Sequence, residues 1–117
     1  MVISLDVAVD YLRCDMNQEQ NRNFWRNQVY IGRIIAALEG PPCETFSAAR
    51  EQPVAGMIHA PRPLRSASQP WGLDGLTKRE LKQLELANTL MCFAIDMAVA
   101  LLHTRGTCIS EHPAEPR

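Results

Sequence analysis

The stretch IIAALEGPPCETFSAAR (residues 34–50) decides how the chain is read. Its first part, IIAAL (34–38), is a continuous apolar run bounded by Gly32 and by Glu39-Gly40-Pro41-Pro42. A short run of this kind suits a strand buried on both faces, as in a parallel sheet. Two prolines then fix φ and remove two backbone donors immediately before Cys43, so the turn is stiff. Residues 44–50 are long enough to begin a short helix. That would place Cys43 at a positive helix end, where a thiolate is favoured. Two readings fit Cys43. In one the prolines end a strand and the cysteine is a half-buried filler; in the other the thiol is held for chemistry.

Working outward, VISL (2–5) reads as a β-branched strand ending at Asp6. Phe24, Trp25, Val29, Ile31 and Ile34 recur at near-helical spacing, which predicts a helix over 18–31, capped by Asp15 or Asn17 and stopped at Gly32. From 51 to 75 the chain carries Pro53, Pro61, Pro63 and Pro70 with no period, and reads as a flexible Pro-rich loop. Arg50, Arg62 and Arg65 in and beside it form the chain's local basic patch. Thr77 and Glu80 have capping-box spacing, and open a helix with a stripe of Leu81, Leu84, Asn88, Met91, Ile95, Ala98 and Leu102. Phe93, Met97 and Leu101 widen the stripe, and Gly106 is a stop signal. TCIS (107–110) reads as a second buried strand leading into Glu111, His112 and Pro113.

The order is strand, helix, strand, loop, helix, strand. It predicts one α/β domain over 1–117, a partial Rossmann-like and mostly parallel sheet flanked by helices. Ligands of such sheets bind at the carboxyl ends of the strands, where Asp6, the GPPC turn and Glu111 all fall. A carboxylate directly after a buried strand, as at Glu111, is partly desolvated and held toward its protonated form. Taken alone, Glu111 reads as a solvated turn residue. Asp6 and Asp15 could accept from a ribose or an adenine, or simply cap turns.

Composition narrows the classes. With 13 acidic and 12 basic residues among 117, no global field draws nucleic acid. The N-terminus lacks a signal-peptide pattern, and LMCFAIDMAVALL (90–102) is too short to span a bilayer and is interrupted by Asp96. An intracellular protein, nuclear or cytoplasmic, with no membrane partner is expected. Cys14, Cys43, Cys92 and Cys108 show no C-x-x-C pair, so reduced thiols rather than a metal site with His59, His103 or His112 are expected.

GPPCETFS, followed by a helix and then a strand leading to Glu111, resembles the cytosine-5 DNA methyltransferases. Gly40, Pro42, Cys43, Phe46 and Ser47 fall on that family's Pro-Cys loop, and Glu111 on its Glu-Asn-Val motif. The resemblance implies an S-adenosylmethionine-dependent fold. Cys43 would be the nucleophile toward C6 of an extruded cytosine, and Glu111 would bind the ring nitrogen and amine. Asp6, Asp15, Pro41 and Pro42 would meet the cofactor. Ser47, Arg50, Arg62 and Arg65 would lie toward DNA, with 51–75 as the catalytic loop.

The sequence departs from the pattern in several places. Glu44 replaces the usual Gln, and His112-Pro113 replaces Asn-Val. The Gly-rich cofactor loop, the arginine-bearing strand motif and the target-recognition region are missing. The resemblance thus implies an incomplete member, inactive alone, whose edge strand at 2–5 would associate with the remainder of the domain or another chain. A non-catalytic α/β interaction module and a thiol-dependent enzyme unrelated to DNA are the alternatives.

Overall fold

The computed structural model of the protein describes residues 1–5, 8, 10–47, 50, 55–57 and 61–111. Its elements are α1 (Tyr11–Cys14), α2 (Glu19–Tyr30), β1 (Ala36–Glu39), α3 (Lys78–His103) and β2 (Thr107–Ser110). The fold is mixed α/β. The two strands pair in parallel, from Ala36 opposite Thr107 to Glu39 opposite Ser110. A parallel pair requires a crossover, and α3 supplies it.

α2 organises the segment before it. Its Asn21 donates to the Leu12 and Asp15 carbonyls at 2.9 and 3.0 Å. Arg22 donates to the Met16 and Asn17 carbonyls, and the Trp25 indole to the Arg13 carbonyl at 3.0 Å. The helix stops as expected, with Gly32 at φ 74° donating back to the Val29 carbonyl. Its N-cap is Gln18, with no side-chain cap bond, rather than Asp15 or Asn17.

α3 begins with the expected capping box: Glu80 N–H donates to the Thr77 hydroxyl and Thr77 N–H to the Glu80 carboxylate at 2.7 Å. At about 1.5 Å per residue it is roughly three times as long as either strand, so its first turns project past the sheet's carboxyl edge. The helix extends well beyond the apolar run 90–102. By length and composition alone it would suffice to cross a membrane. Here Leu84, Ala87, Ala94, Met97, Ala100 and Leu101 are buried.

The core lies where α2, α3 and one sheet face meet. Val29, Ala100 and Leu101 are wholly buried, Met97 nearly so, and Ile34, Ala37, Phe93 and Cys108 close round them. Burying a Val or Leu side chain stabilises by about 1.5–3 kcal/mol. Arg26 pairs with Asp96 at 3.2 Å and, one turn on, Val29 packs with Ala100 and Leu101, so α2 and α3 run side by side in the same direction. The buried face of α3 differs from the expected stripe: Leu81, Ile95 and Leu102 face outward. Small Ala87, Ala94 and Ala100 occupy the inner face and let the neighbouring backbones approach.

Several strand expectations are corrected. Residues 2–5 form no strand, and Met1 and Val2 are fully exposed; the sheet offers them no partner. IIAAL is not buried on both faces. The strand is AALE, with Ala37 and Glu39 half-buried and Ala36 and Leu38 exposed. TCIS is a strand over the expected residues but is likewise open on one side, Ile109 being 62% exposed. The reason is common to both: helices cover one sheet face only.

The C-terminus of α3 follows the helix-ending motif in which two amides fold back on the last turn. Arg105 takes the left-handed position at φ 60° and donates to the Leu102 carbonyl at 3.2 Å, while Gly106 donates to the Leu101 carbonyl at 2.7 Å. Gly106 is needed for space. A Cβ there would sit 2.6 Å from Leu101 Cδ2 and 2.7 Å from the Ile35 carbonyl oxygen.

Candidate functional site at the carboxyl edge of the sheet

β1 and β2 both end at one edge. Glu111 N–H donates to the Glu39 carbonyl at 2.8 Å, extending the ladder one step past the last strand pair. Gly40-Pro41-Pro42 carries the chain from Glu39 to Cys43. Cys43 and Glu111 therefore leave the same edge of neighbouring parallel strands, and both are exposed. Glu111 lacks the burial that its position after an apolar strand suggested, because β2 is itself open on one face.

Residues 44–46 after Cys43 form a turn. Phe46 N–H donates to the Cys43 carbonyl at 2.9 Å, and Arg50 N–H to the Ser47 carbonyl at 3.2 Å. Among the described residues no helix spans 44–50, so Cys43 does not sit at a helix N-terminus.

What fixes this turn is the segment 61–75, packed on the projecting turns of α3. Residues 61–75 of the expected flexible loop are thus held in place. Leu64 is wholly buried and accepts from Leu73 N–H at 2.9 Å. Arg65 reaches back to the turn. Its guanidinium donates twice to the hydroxyl of buried Thr45, at 3.1 and 2.9 Å, and once to the Pro70 carbonyl at 2.6 Å. It also stacks 3.7 Å over the Phe46 ring. Glu44 is tied to α3 through Gln83 at 3.0 Å.

The three arginines of the basic patch have different fates. Arg62 makes a two-pronged bond to Glu80, at 2.7 and 2.9 Å, and a third to the Gly75 carbonyl. The Arg62 guanidinium, then the Thr77 backbone and side-chain donors, hold the Glu80 carboxyl down to about 2. Glu80 in turn pushes the Arg62 pKa up. Arg62 is a structural clip. Among the described residues Arg50 bonds to the carbonyls of Glu44 at 2.6 Å and Arg62 at 3.2 Å. Among them Arg65 bonds to carbonyl and hydroxyl oxygens, and burial lowers its pKa. Arg50, Arg65 and Ser47 line one cavity of about 390 Å³ beside the Cys43 turn.

Of the residues assigned to a cofactor, Asp15, Pro41 and Pro42 are described. Asp6 lies outside the described residues, as do His59 and His112. Asp15 is engaged in a turn: one carboxylate oxygen accepts from Asn17 N–H at 3.0 Å and the other from the Gln18 amide at 3.2 Å. Pro41 is half-buried and Pro42 exposed. Among the described residues no three His, Cys, Asp or Glu side chains could hold a metal ion.

One pair escaped the sequence reading. Glu39 and Cys108 meet on the helix-covered face of the sheet. Burial raises the Glu39 pKa, and a bond with the Cys108 thiol partly offsets this. Burial, then the bond and charge of Glu39, push the Cys108 thiol up to about 11. Period-two alternation places Ala37 with Glu39 and Cys108 with Ser110, so the pair is visible in sequence only once the strand register is known.

No protein-family model, curated protein or solved structure matches the chain. The functional reading therefore stands on the site's own geometry.

Proposed function

We propose that the chain carries the nucleophile half of a cytosine-5 DNA methyltransferase-like site on a partial Rossmann-like sheet. The supporting observation is that Cys43 and Glu111 follow neighbouring parallel strand ends at one edge, linked by the Glu111–Glu39 bond at 2.8 Å. In this reading the Cys43 thiolate adds to C6 of an extruded cytosine. The S–C6 bond forms, the C5–C6 π electrons move to C5, and Glu111 stabilises the adduct at the ring nitrogen and amine. C5 then takes a proton from water. Reversal releases cytosine with its C5 hydrogen exchanged, and no other reactant is consumed.

S-adenosylmethionine would supply the methyl group in such a family. Of the residues assigned to it, Asp15 has both carboxylate oxygens engaged within its own turn. The proposal is accordingly limited to covalent addition. DNA containing 5-azacytosine tests it, because this base is more electrophilic at C6. A covalent complex lost in Cys43→Ser supports the reading; an unmodified Cys43 after prolonged incubation contradicts it.

The open sheet face favours a second reading, a non-catalytic interaction module. On that face Leu38 and Ile109 are 80% and 62% exposed. Apolar surface of this kind marks contact with another polypeptide. Concentration-dependent sedimentation that Ile109→Lys abolishes, with an inert Cys43, would favour this reading.

A further inference from the structure

The cavity beside the Cys43 turn has a mixed lining: Arg50 and Arg65, the hydroxyl residues Ser47 and Ser66, and apolar Phe46, Pro63 and Pro70. Its volume of about 390 Å³ lies within the range of small-ligand sites. A guanidinium has five N–H donors. The bonds made within the described residues leave three of these on Arg50 and two on Arg65. Neither arginine has a carboxylate within ion-pair distance among the described residues, whereas Arg62 beside them is neutralised by Glu80. Two cationic forks with spare donors suit a group with several anionic oxygens, and an arginine fork matches phosphate in two-pronged geometry. Arg65 is prepared for this. Thr45, Pro70 and the Phe46 ring already hold its fork, so little side-chain freedom is lost on binding.

We propose that this cavity binds one nucleotide unit, its phosphate on Arg50 and Arg65 and its base against Phe46 and the flanking prolines Pro63 and Pro70. The unit is either a free mononucleotide or one residue of a DNA strand. Binding shares the turn with Cys43 but does not depend on its chemistry.

The test is titration of the full chain with CMP, cytidine, inorganic phosphate and a short cytosine-containing single strand. CMP should bind at least tenfold more tightly than cytidine or phosphate alone. Arg50→Gln and Arg65→Lys should each weaken CMP about tenfold, which corresponds to ~1.4 kcal/mol. Arg79→Gln should leave it unchanged. A strand binding more than tenfold tighter than CMP identifies the strand as the source; equal affinity identifies the free nucleotide. Should either arginine variant unfold, amide shifts in the wild-type protein decide. Changes centred on Ser47, Arg65 and Ser66 support the site, and changes elsewhere overturn it. Equal binding of CMP and cytidine, or arginine variants within twofold of wild type, also overturns it.

Discussion

Glu111 donates its backbone N–H to the Glu39 carbonyl at 2.8 Å, one step beyond the pairing of Glu39 with Ser110. That bond brings the chain after β2 to the edge from which the Cys43 loop departs. Below it, Glu39 bonds the Cys108 thiol on the covered face. The edge thus has an exposed cysteine and carboxylate above, and a second thiol–carboxylate pair beneath.

The Glu39–Cys108 pair makes stability fall at alkaline pH. The folded thiol titrates at about 11 against an ordinary 9.0, so the native state holds a proton that the unfolded chain has released. The stabilisation is complete below pH 9 and is lost as pH rises toward 11. Denaturant midpoints measured across this window should fall for wild type and fall less for Cys108→Ala. Parallel curves for the two proteins would contradict the assignment.

The Arg62–Glu80 clip acts at the acid end. Glu80 titrates at about 2 in the fold against an ordinary 4.5, so its contribution is present above pH 4.5 and is lost as pH falls toward 2. Glu80→Gln should flatten that slope and loosen the segment 61–75, seen as faster amide exchange at Leu73. Thr77→Ala should cost about 1 kcal/mol through the lost helix cap.

Arg105 and Gly106 should respond in opposite directions. Arg105 is a non-glycine residue in the left-handed region, so Arg105→Gly should raise stability by up to about 1 kcal/mol. Gly106→Ala should lower it by at least about 1 kcal/mol, because the new methyl meets the Ile35 carbonyl and Leu101. Thermal unfolding of the two variants checks both signs.

Thiol labelling should follow exposure and charge. Cys43 and Cys92 are exposed and should react first with iodoacetamide at pH 8. Cys14 is buried, and Cys108 is held protonated, so both should lag. Mass spectrometry of peptides at early times resolves the order, and early labelling of Cys108 would contradict the Glu39 contact.

Local signals were legible in the sequence wherever they involve neighbours in the chain. Thr77 and Glu80 form the capping box that their spacing predicts, Gly32 ends α2, and β2 occupies Thr107–Ser110 as read. Burial was not legible, because a strand does not encode how many layers cover it: Leu38 and Ile109 are as apolar as core residues and lie open. The inner face of α3 was legible at Leu84, Met97 and Leu101, which are buried as read, and misjudged elsewhere for a related reason. Close packing selected Ala87, Ala94 and Ala100, which carry little hydrophobic signal, over Ile95 and Leu102.

At the site, the order of Cys43 and Glu111 along the chain was legible. The partners of the basic residues were not. Arg50, Arg62 and Arg65 look alike in sequence, and only Glu80, eighteen residues beyond Arg62, separates the clip from the two that line the cavity.

The central claim is that Cys43 can add to cytosine C6. The most direct measurement is mass spectrometry of the intact protein after incubation with a 5-azacytosine oligonucleotide. The account predicts a mass increase of one oligonucleotide, mapped to Cys43, absent in Cys43→Ser and reduced at least tenfold in Glu111→Gln. Unmodified protein, or an adduct mapped to Cys92, would contradict it.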